Sequence, residues 1–396
     1  MDIDNLPLPD DVSSLDAREL QDRLSRGDRL TLLDVRTERE FGGWRIESEN
    51  VDILNVPYYE FLEGVDDELL ARIPRGDDEL IAVCVKGGAS AYVVGLLEDE
   101  GIAATNLDGG MNSWARIYDV IEVAGYEGPG TLLQYQRPSS GCLAYMIVSE
   151  GEAAIVDPLR AFTERYLEDA EALGVELGYA IDTHIHADHV SGVRALAARG
   201  PTAVIPEPSV ARGVEYEREY TTVADGDVLS VGGVSIQAIH TPGHTSGMTS
   251  YLVDDSVLLT GDCLFLESVG SPDPEGGERG VPDAVRRLYE TLQRRILSLP
   301  DDVLVAPGHF SDASVRASDG TYTASLGELR DAMPSLDVDR ETFVESLLSD
   351  APPRPRNFEE IIAVNLGQSA LADDAAFELE LGPNNCAASQ HALTGD

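Results

Sequence analysis

Three of the chain's seven histidines fall within six residues, in Thr183-His184-Ile185-His186-Ala187-Asp188-His189. A fourth stands in Thr241-Pro242-Gly243-His244-Thr245, a fifth in Pro307-Gly308-His309, and an aspartate in Leu259-Thr260-Gly261-Asp262. Each segment follows a β-type run, at 179–183, 234–239, 257–260 and 303–306. The side chains therefore arrive at the carboxyl ends of strands, where α/β sheets place their ligand sites. Imidazole and carboxylate converging from several strand ends is metal-ligand chemistry. The candidate ligands are His184, His186, Asp188, His189, His244, Asp262 and His309. His240 reads as strand packing and His391 as part of the tail.

A second reactive stretch is Cys84-Val85-Lys86-Gly87-Gly88-Ala89-Ser90, between a strand at 80–85 and a helix at 89–100. Successive backbone N–H groups in such a loop form an anion-binding nest, which favours a thiolate or persulfide on Cys84. Lys86 is the only lysine in the chain, and it lies two residues away. Cys84 is the candidate nucleophile and Lys86 its electrostatic partner. Cys142, Cys263 and Cys386 carry no assigned role, and Cys263, beside Asp262, reads as packing. Four scattered cysteines make no disulfide framework, so a reduced cytoplasm is expected.

The elements that must hold these residues fall into two blocks. Strands at 31–35 and 80–85 alternate with helices at 89–100 and 112–117, which describes a small α/β domain with a largely parallel sheet. The glycine-rich stretch at 125–130 is the best break in the chain. Beyond it come β runs at 142–148, 153–157, 179–183, 203–205, 234–239, 249–253, 257–260 and 303–306, with helices at 163–173, 190–199 and 284–299. The expected domains are 12–123, a linker at 124–131, 132–345, and an extension at 346–396 packed on the third segment. The Gly- and Pro-rich residues 270–280 read as a loop over the site.

The chain has 396 residues and a formal charge of −44, with 72 acidic and 28 basic residues. Such self-repulsion is screened when the Debye length falls to about 3 Å, near 1 M salt. A salt-adapted, halophilic protein of haloarchaeal character is expected. The same charge disfavours nucleic-acid binding. No stretch approaches the roughly 18 apolar residues of a membrane span.

The set His-x-His-x-Asp-His, Thr-Pro-Gly-His-Thr, Thr-Gly-Asp and Pro-Gly-His resembles the metallo-β-lactamase superfamily over about 130–336. That resemblance implies an αββα sandwich with metal at one edge of its two sheets. Residues 14–123 resemble a rhodanese domain, through Leu33-Asp34-Val35-Arg36, Glu40-Phe41, the Cys84–Ser90 loop and Leu107-Asp108-Gly109-Gly110-Met111-Asn112-Ser113-Trp114. The fold class expected is thus α/β, a rhodanese-like domain followed by that sandwich. Two branches of the superfamily are similar.

The persulfide dioxygenase branch implies one Fe(II) on His184, His244 and Asp262. His186, Asp188, His189 and His309 then form the surrounding shell. The glyoxalase II branch implies two zinc ions, one on His184, His186 and His244, the other on Asp188, His189 and His309, with Asp262 bridging. The stretches 241–251 and 352–365 resemble the sulfur-oxidising branch, and the rhodanese-like neighbour suits sulfur chemistry.

The function expected is oxidation of a small thiol persulfide to sulfite with O2, with Cys84, Lys86 and Asp188 as catalytic residues. Thioester hydrolysis is the alternative, and a sulfane-sulfur sensor would need a closed four-ligand site, fewer ligands than this cluster offers. Both branches usually continue past the aspartate with a Gly-Cys-Gly-Arg type stretch that helps bind glutathione. Here Cys263-Leu264-Phe265-Leu266 follows, so the natural thiol stays open. The partners expected are the small persulfide or thioester and O2, without nucleic acid or membrane, and with a homodimer as a possible assembly.

Overall fold

The computed structural model describes residues 12–75, 79–273, 275, 278–349, 354–382 and 387. Cys386 and His391 lie outside the described residues, as do parts of 270–280 and of the extension from 346. The chain divides into two compact units. One comprises the described residues up to Tyr118 together with Arg137–Ser140, the other Asp119–Gln136 and the described residues from Gly141 onward.

The first unit is a five-stranded sheet of β1 (Ser14–Leu15), β2 (Leu30–Asp34), β3 (Val51–Asn55), β4 (Glu79–Val83) and β5 (Thr105–Leu107). All pairs are parallel, in the order β1-β5-β4-β2-β3. The central strands β2 and β4 are near-continuous apolar runs because both faces are covered. Alternate residues take opposite sides. Leu33 and Ala82 meet Val93 and Leu97 of helix Gly88–Asp99. Leu32 and Ile81 pack with Leu20 of helix Ala17–Arg26 and with Trp114.

The second unit holds two sheets. The first has seven strands: β6 (Asp119–Glu122), β7 (Thr131–Gln136), β8 (Leu143–Ser149), β9 (Glu152–Val156), β10 (Glu176–Ile181), β11 (Thr202–Pro206) and β12 (Tyr220–Val223), neighbours in chain order. From β6 to β9 the pairs are antiparallel, and from β9 to β12 parallel. The second sheet runs β13 (Val228–Val231), β14 (Val234–His240), β15 (Thr249–Val253), β16 (Val257–Gly261), β17 (Leu304–Pro307) and β18 (Ala324–Ser325). One apolar core joins them: Tyr145, Ile147 and Val156 from the first sheet, Ile236, Tyr251 and Leu259 from the second. Val285 and Leu288 of helix Val281–Thr291 belong to the same core.

Several sequence boundaries move. The first domain was expected to run to 123, but β6 pairs in antiparallel register with β7, Asp119 opposite Gln136 and Glu122 opposite Leu133. The glycine-rich break at 125–130 is thus the connection between two strands of one sheet. The boundary expected at 345/346 falls inside helix Arg340–Ser349, whose Phe343 and Leu347 belong to the sandwich core. The helix expected at 190–199 is only Val193–Ala197. Val190 and Ser191 give their N–H groups to side chains of Glu380 and Asn365 instead of to a helix. No helix among the described residues is long and apolar enough to cross a membrane.

Candidate metal centre

Five strand ends meet at one edge of the sandwich. The chain leaves β9 into Asp157, β10 into Thr183–His189, β14 into His244, β16 into Asp262 and β17 into His309. Cys142 precedes β8 and bridges to His309. A Cβ on Gly308 would stand 2.7 Å from Asp262 Oδ1, so only glycine lets that carboxylate lie against the end of β17.

His184, His244 and Asp262 are 0%, 4% and 0% exposed. Their ligand atoms converge: His184 Nε2 is 3.8 Å and His244 Nε2 3.6 Å from Asp262 Oδ2. All three atoms are buried without a hydrogen-bond partner. Such atoms are costly to leave unpaired. Their partners at the other side fix what they present.

Asp157 Oδ2 accepts from Thr183 Oγ1 at 2.9 Å, which commits the hydroxyl proton. The Thr183 oxygen can then only accept from His184 Nδ1, also at 2.9 Å. His244 Nδ1 donates to the Ser271 carbonyl at 2.6 Å. Both rings therefore carry hydrogen on Nδ1 and turn Nε2 inward. Burial, with His186 and His244 adding to it, holds His184 well below its usual pKa and so neutral. Burial opposes charge on Asp262, but His309 outweighs it and keeps the carboxylate ionised well below the usual range. Two imidazoles and one carboxylate with unpaired inward atoms fit a divalent metal ion.

The remaining predicted ligands are arranged differently. His309 donates from Nδ1 to Asp262 Oδ1 at 2.7 Å and from Nε2 to Asp188 Oδ2 at 2.9 Å. Burial alone would lower its pKa, yet the two carboxylates raise it well above the usual value, so the ring is an imidazolium. His189 Nδ1 also reaches Asp188 Oδ2, at 3.0 Å. His186 turns Nε2 to Asp157 Oδ1 at 3.1 Å and lies 3.8 Å from Asp182 Oδ1. His186 Nδ1, His189 Nε2 and Asp188 Oδ1 are buried without partners.

Cys142, Asp157 and Asp182 belong to the site and escaped sequence reasoning. Cys142 Sγ is 3.6 Å from Asp188 Oδ2, and although burial opposes its thiolate, His309 and His189 bring its pKa down to about 7. Asp157 was legible in principle as a carboxylate ending a β run, whereas no spacing marks Cys142. Cys263 packs in the apolar core, where burial pushes its thiol up to about 12. His240 donates from Nε2 to the Ser246 carbonyl at 3.0 Å, outside the cluster.

In the first unit Cys84 closes β4 and is 5% exposed. Its sulfur accepts from Gly87 N at 3.1 Å, and Ser90 Oγ lies at the same distance. Asn106 Oδ1 stands 2.7 Å behind that hydroxyl. Gly87 adopts φ +88°, and a Cβ there would meet Gly109 N at 2.8 Å, so glycine makes the loop's curl. The 12-residue helix Gly88–Asp99 begins at the loop, with Gly87 as its N-cap. Lys86 is exposed on the same loop.

Residues 138–309 match the metallo-β-lactamase superfamily and residues 16–117 the rhodanese-like domain. The chain joins a rhodanese-like domain to a metallo-β-lactamase superfamily domain. It is a metal-dependent enzyme of that fold. Human mitochondrial persulfide dioxygenase ETHE1 is 27% identical over 245 residues, 61% of this chain and 90% of that protein. Hydroxyacylglutathione hydrolase of Aeromonas hydrophila is 33% identical over 165 residues, 42% of this chain and 59% of the relative. Among solved structures, ETHE1 from Myxococcus xanthus has a TM-score of 0.52 and 29% identity, covering 60% of this chain and 98% of that one. A metallo-β-lactamase from Staphylococcus aureus has a TM-score of 0.55 and 26% identity, covering 62% and 74%.

Proposed function

We propose that this enzyme oxidises a low-molecular-weight thiol persulfide to sulfite with O2, at one Fe(II) held by His184, His244 and Asp262. The observation that carries this reading is the trio of buried, unpartnered atoms on those three side chains. Two histidines and one carboxylate are the ligand set of non-haem iron oxygenases. When bound there, Fe(II) supplies open positions for O2 and a sulfur ligand. The balance is RSSH + O2 + H2O giving RSH, sulfite and two protons, with the outer sulfur oxidised and O2 reduced.

The protein's own groups prepare this. Thr183 and Ser271 hold both imidazoles in the ligating tautomer. His309 keeps Asp262 ionised and carries a proton between two carboxylates. Asp188 Oδ2 meets both His189 and His309. Cys84 is proposed to carry sulfane sulfur in the Gly87–Ser90 cradle, with Lys86 as the attracting cation. The proposed setting is a reduced cytoplasm of high ionic strength, in keeping with free thiols at Cys84, Cys142 and Cys263 and with the charge of −44.

Thioester hydrolysis at two metal ions is the second reading, favoured by the unpartnered His186 Nδ1, His189 Nε2 and Asp188 Oδ1. Against it, both nitrogens of His309 are committed to carboxylates. Asp262→Ala tests the first reading. Bound iron and persulfide-dependent O2 consumption should disappear together, and O2 consumption that survives loss of iron would refute it.

A further inference from the structure

The stretch that ends in Ala363-Val364-Asn365 plays no part in the ligand set above, yet it reaches the loop that carries four of the seven candidate ligands. Asn365 is 3% exposed at the end of helix Phe358–Asn365. Its Nδ2 donates to the carbonyls of His186 at 3.0 Å and His189 at 2.9 Å. Its Oδ1 accepts from Ser191 N at 2.9 Å. Three of the four hydrogen bonds an asparagine can make thus fall on residues 186–191. That stretch contains His186, Asp188 and His189 and begins two residues after His184.

The stretch 186–190 belongs to no helix or strand. Its buried peptide groups need partners from elsewhere. Glu380, 6% exposed, accepts from Val190 N at 3.0 Å. Arg194 donates to the Val364 carbonyl at 2.9 Å, so the end of the helix is held in turn by the helix that follows the loop.

We propose that Asn365 is a positioning residue for the metal centre, which fixes the backbone of 186–191 and through it the directions of His184, His186, Asp188 and His189. A planar carboxamide with two donors and one acceptor engaged sets three peptide groups relative to one another. Ligands must be held to within about 0.5 Å to keep a productive geometry. The inference rests on the metal-binding reading of the site. Its reach is wider, since it makes a segment near the C-terminus part of the centre.

The test uses the full-length, metal-free protein in high salt, titrated with Co(II) and followed by visible absorption, with amide hydrogen exchange over 186–191 measured separately. Asn365→Ser is the main variant, because one hydroxyl cannot replace three hydrogen bonds, and Asn365→Ala accompanies it if it folds. Gln368→Ala is the control: it removes a bond of 2.7 Å to the Gly213 carbonyl in the same segment, away from the loop. Asn365→Ser should bind Co(II) roughly tenfold or more weakly, as loss of an outer partner does. Its visible spectrum should change and exchange at 186–191 should rise, while Gln368→Ala matches the wild type. Wild-type affinity and spectrum in Asn365→Ser would overturn the proposal. So would faster exchange spread evenly over the second unit, which marks a merely structural role. A wild type that takes two Co(II) per chain would overturn the single-metal reading alone, and the ratio of affinities and the exchange still decide for or against Asn365.

Discussion

Replacing Thr183 by valine removes one oxygen and almost no volume, so it isolates the device that sets the His184 tautomer. Two hydrogen bonds of 2.9 Å vanish, one to Asp157 Oδ2 and one from His184 Nδ1. Thr183 is fully buried, and no water replaces the lost acceptor without a cavity. An unsatisfied buried donor costs about 1–3 kcal/mol. The ring can relieve that cost by moving its proton to Nε2 or by turning, and either change takes the lone pair away from Asp262 Oδ2. Binding must reverse the change, so metal affinity should fall by about 10–100-fold, which is about 1.4–2.8 kcal/mol. Competition with a chromophoric chelator for Fe(II) measures the affinity, and 15N NMR of the histidine rings reports the tautomer in the metal-free protein. Affinity and tautomer both equal to the wild type, in a folded variant, would refute the argument that Thr183 orients the ligand.

Cys84→Ser should abolish sulfur transfer to or from the first unit and leave oxidation of a free small persulfide intact. Equal loss in the two assays would sink that division of labour. The metal-free protein should also lose stability as pH rises. His309 and His189 have pKa values raised above the usual 6.5 or so, because burial is outweighed by Asp188 and, for His309, by Asp262 as well. Their contribution is complete below that value and is lost as pH climbs through the raised ones. His184, depressed by burial, works in the opposite sense below about pH 6.5, and the Cys142 thiol, brought down to about 7, offsets part of the decline above that. Chemical denaturation between pH 6.5 and 9 should show this decline, and His309→Asn should flatten it; an unchanged slope would count against the imidazolium.

How much of this was legible before the structure depends on how each residue reaches the site. The seven ligand candidates follow β runs, so strand polarity brings them to one edge. It does not distribute them. The division between the inward-facing trio and the Asp188–His189–His309 group depends on which ring nitrogen meets which neighbour, and spacing carries no information about that. Cys142 arrives through a bridge to His309, and Asn365 from a helix far along the chain, so neither has a local signature. Ser90 and Asn106 stand 16 residues apart and meet only because β4 and β5 are neighbours. At the domain boundary, the glycines at 125–130 mark a real break in regular structure. A turn between two strands and a linker between two domains look alike in composition, and only the β6–β7 pairing distinguishes them.

The central claim is the single iron on His184, His244 and Asp262, and its most direct test is the metal content of protein purified without oxygen in high salt, paired with O2 uptake on adding a thiol persulfide. The account predicts about one iron per chain and O2 uptake that requires the persulfide and yields sulfite. Two zinc ions per chain with no O2 uptake would contradict it.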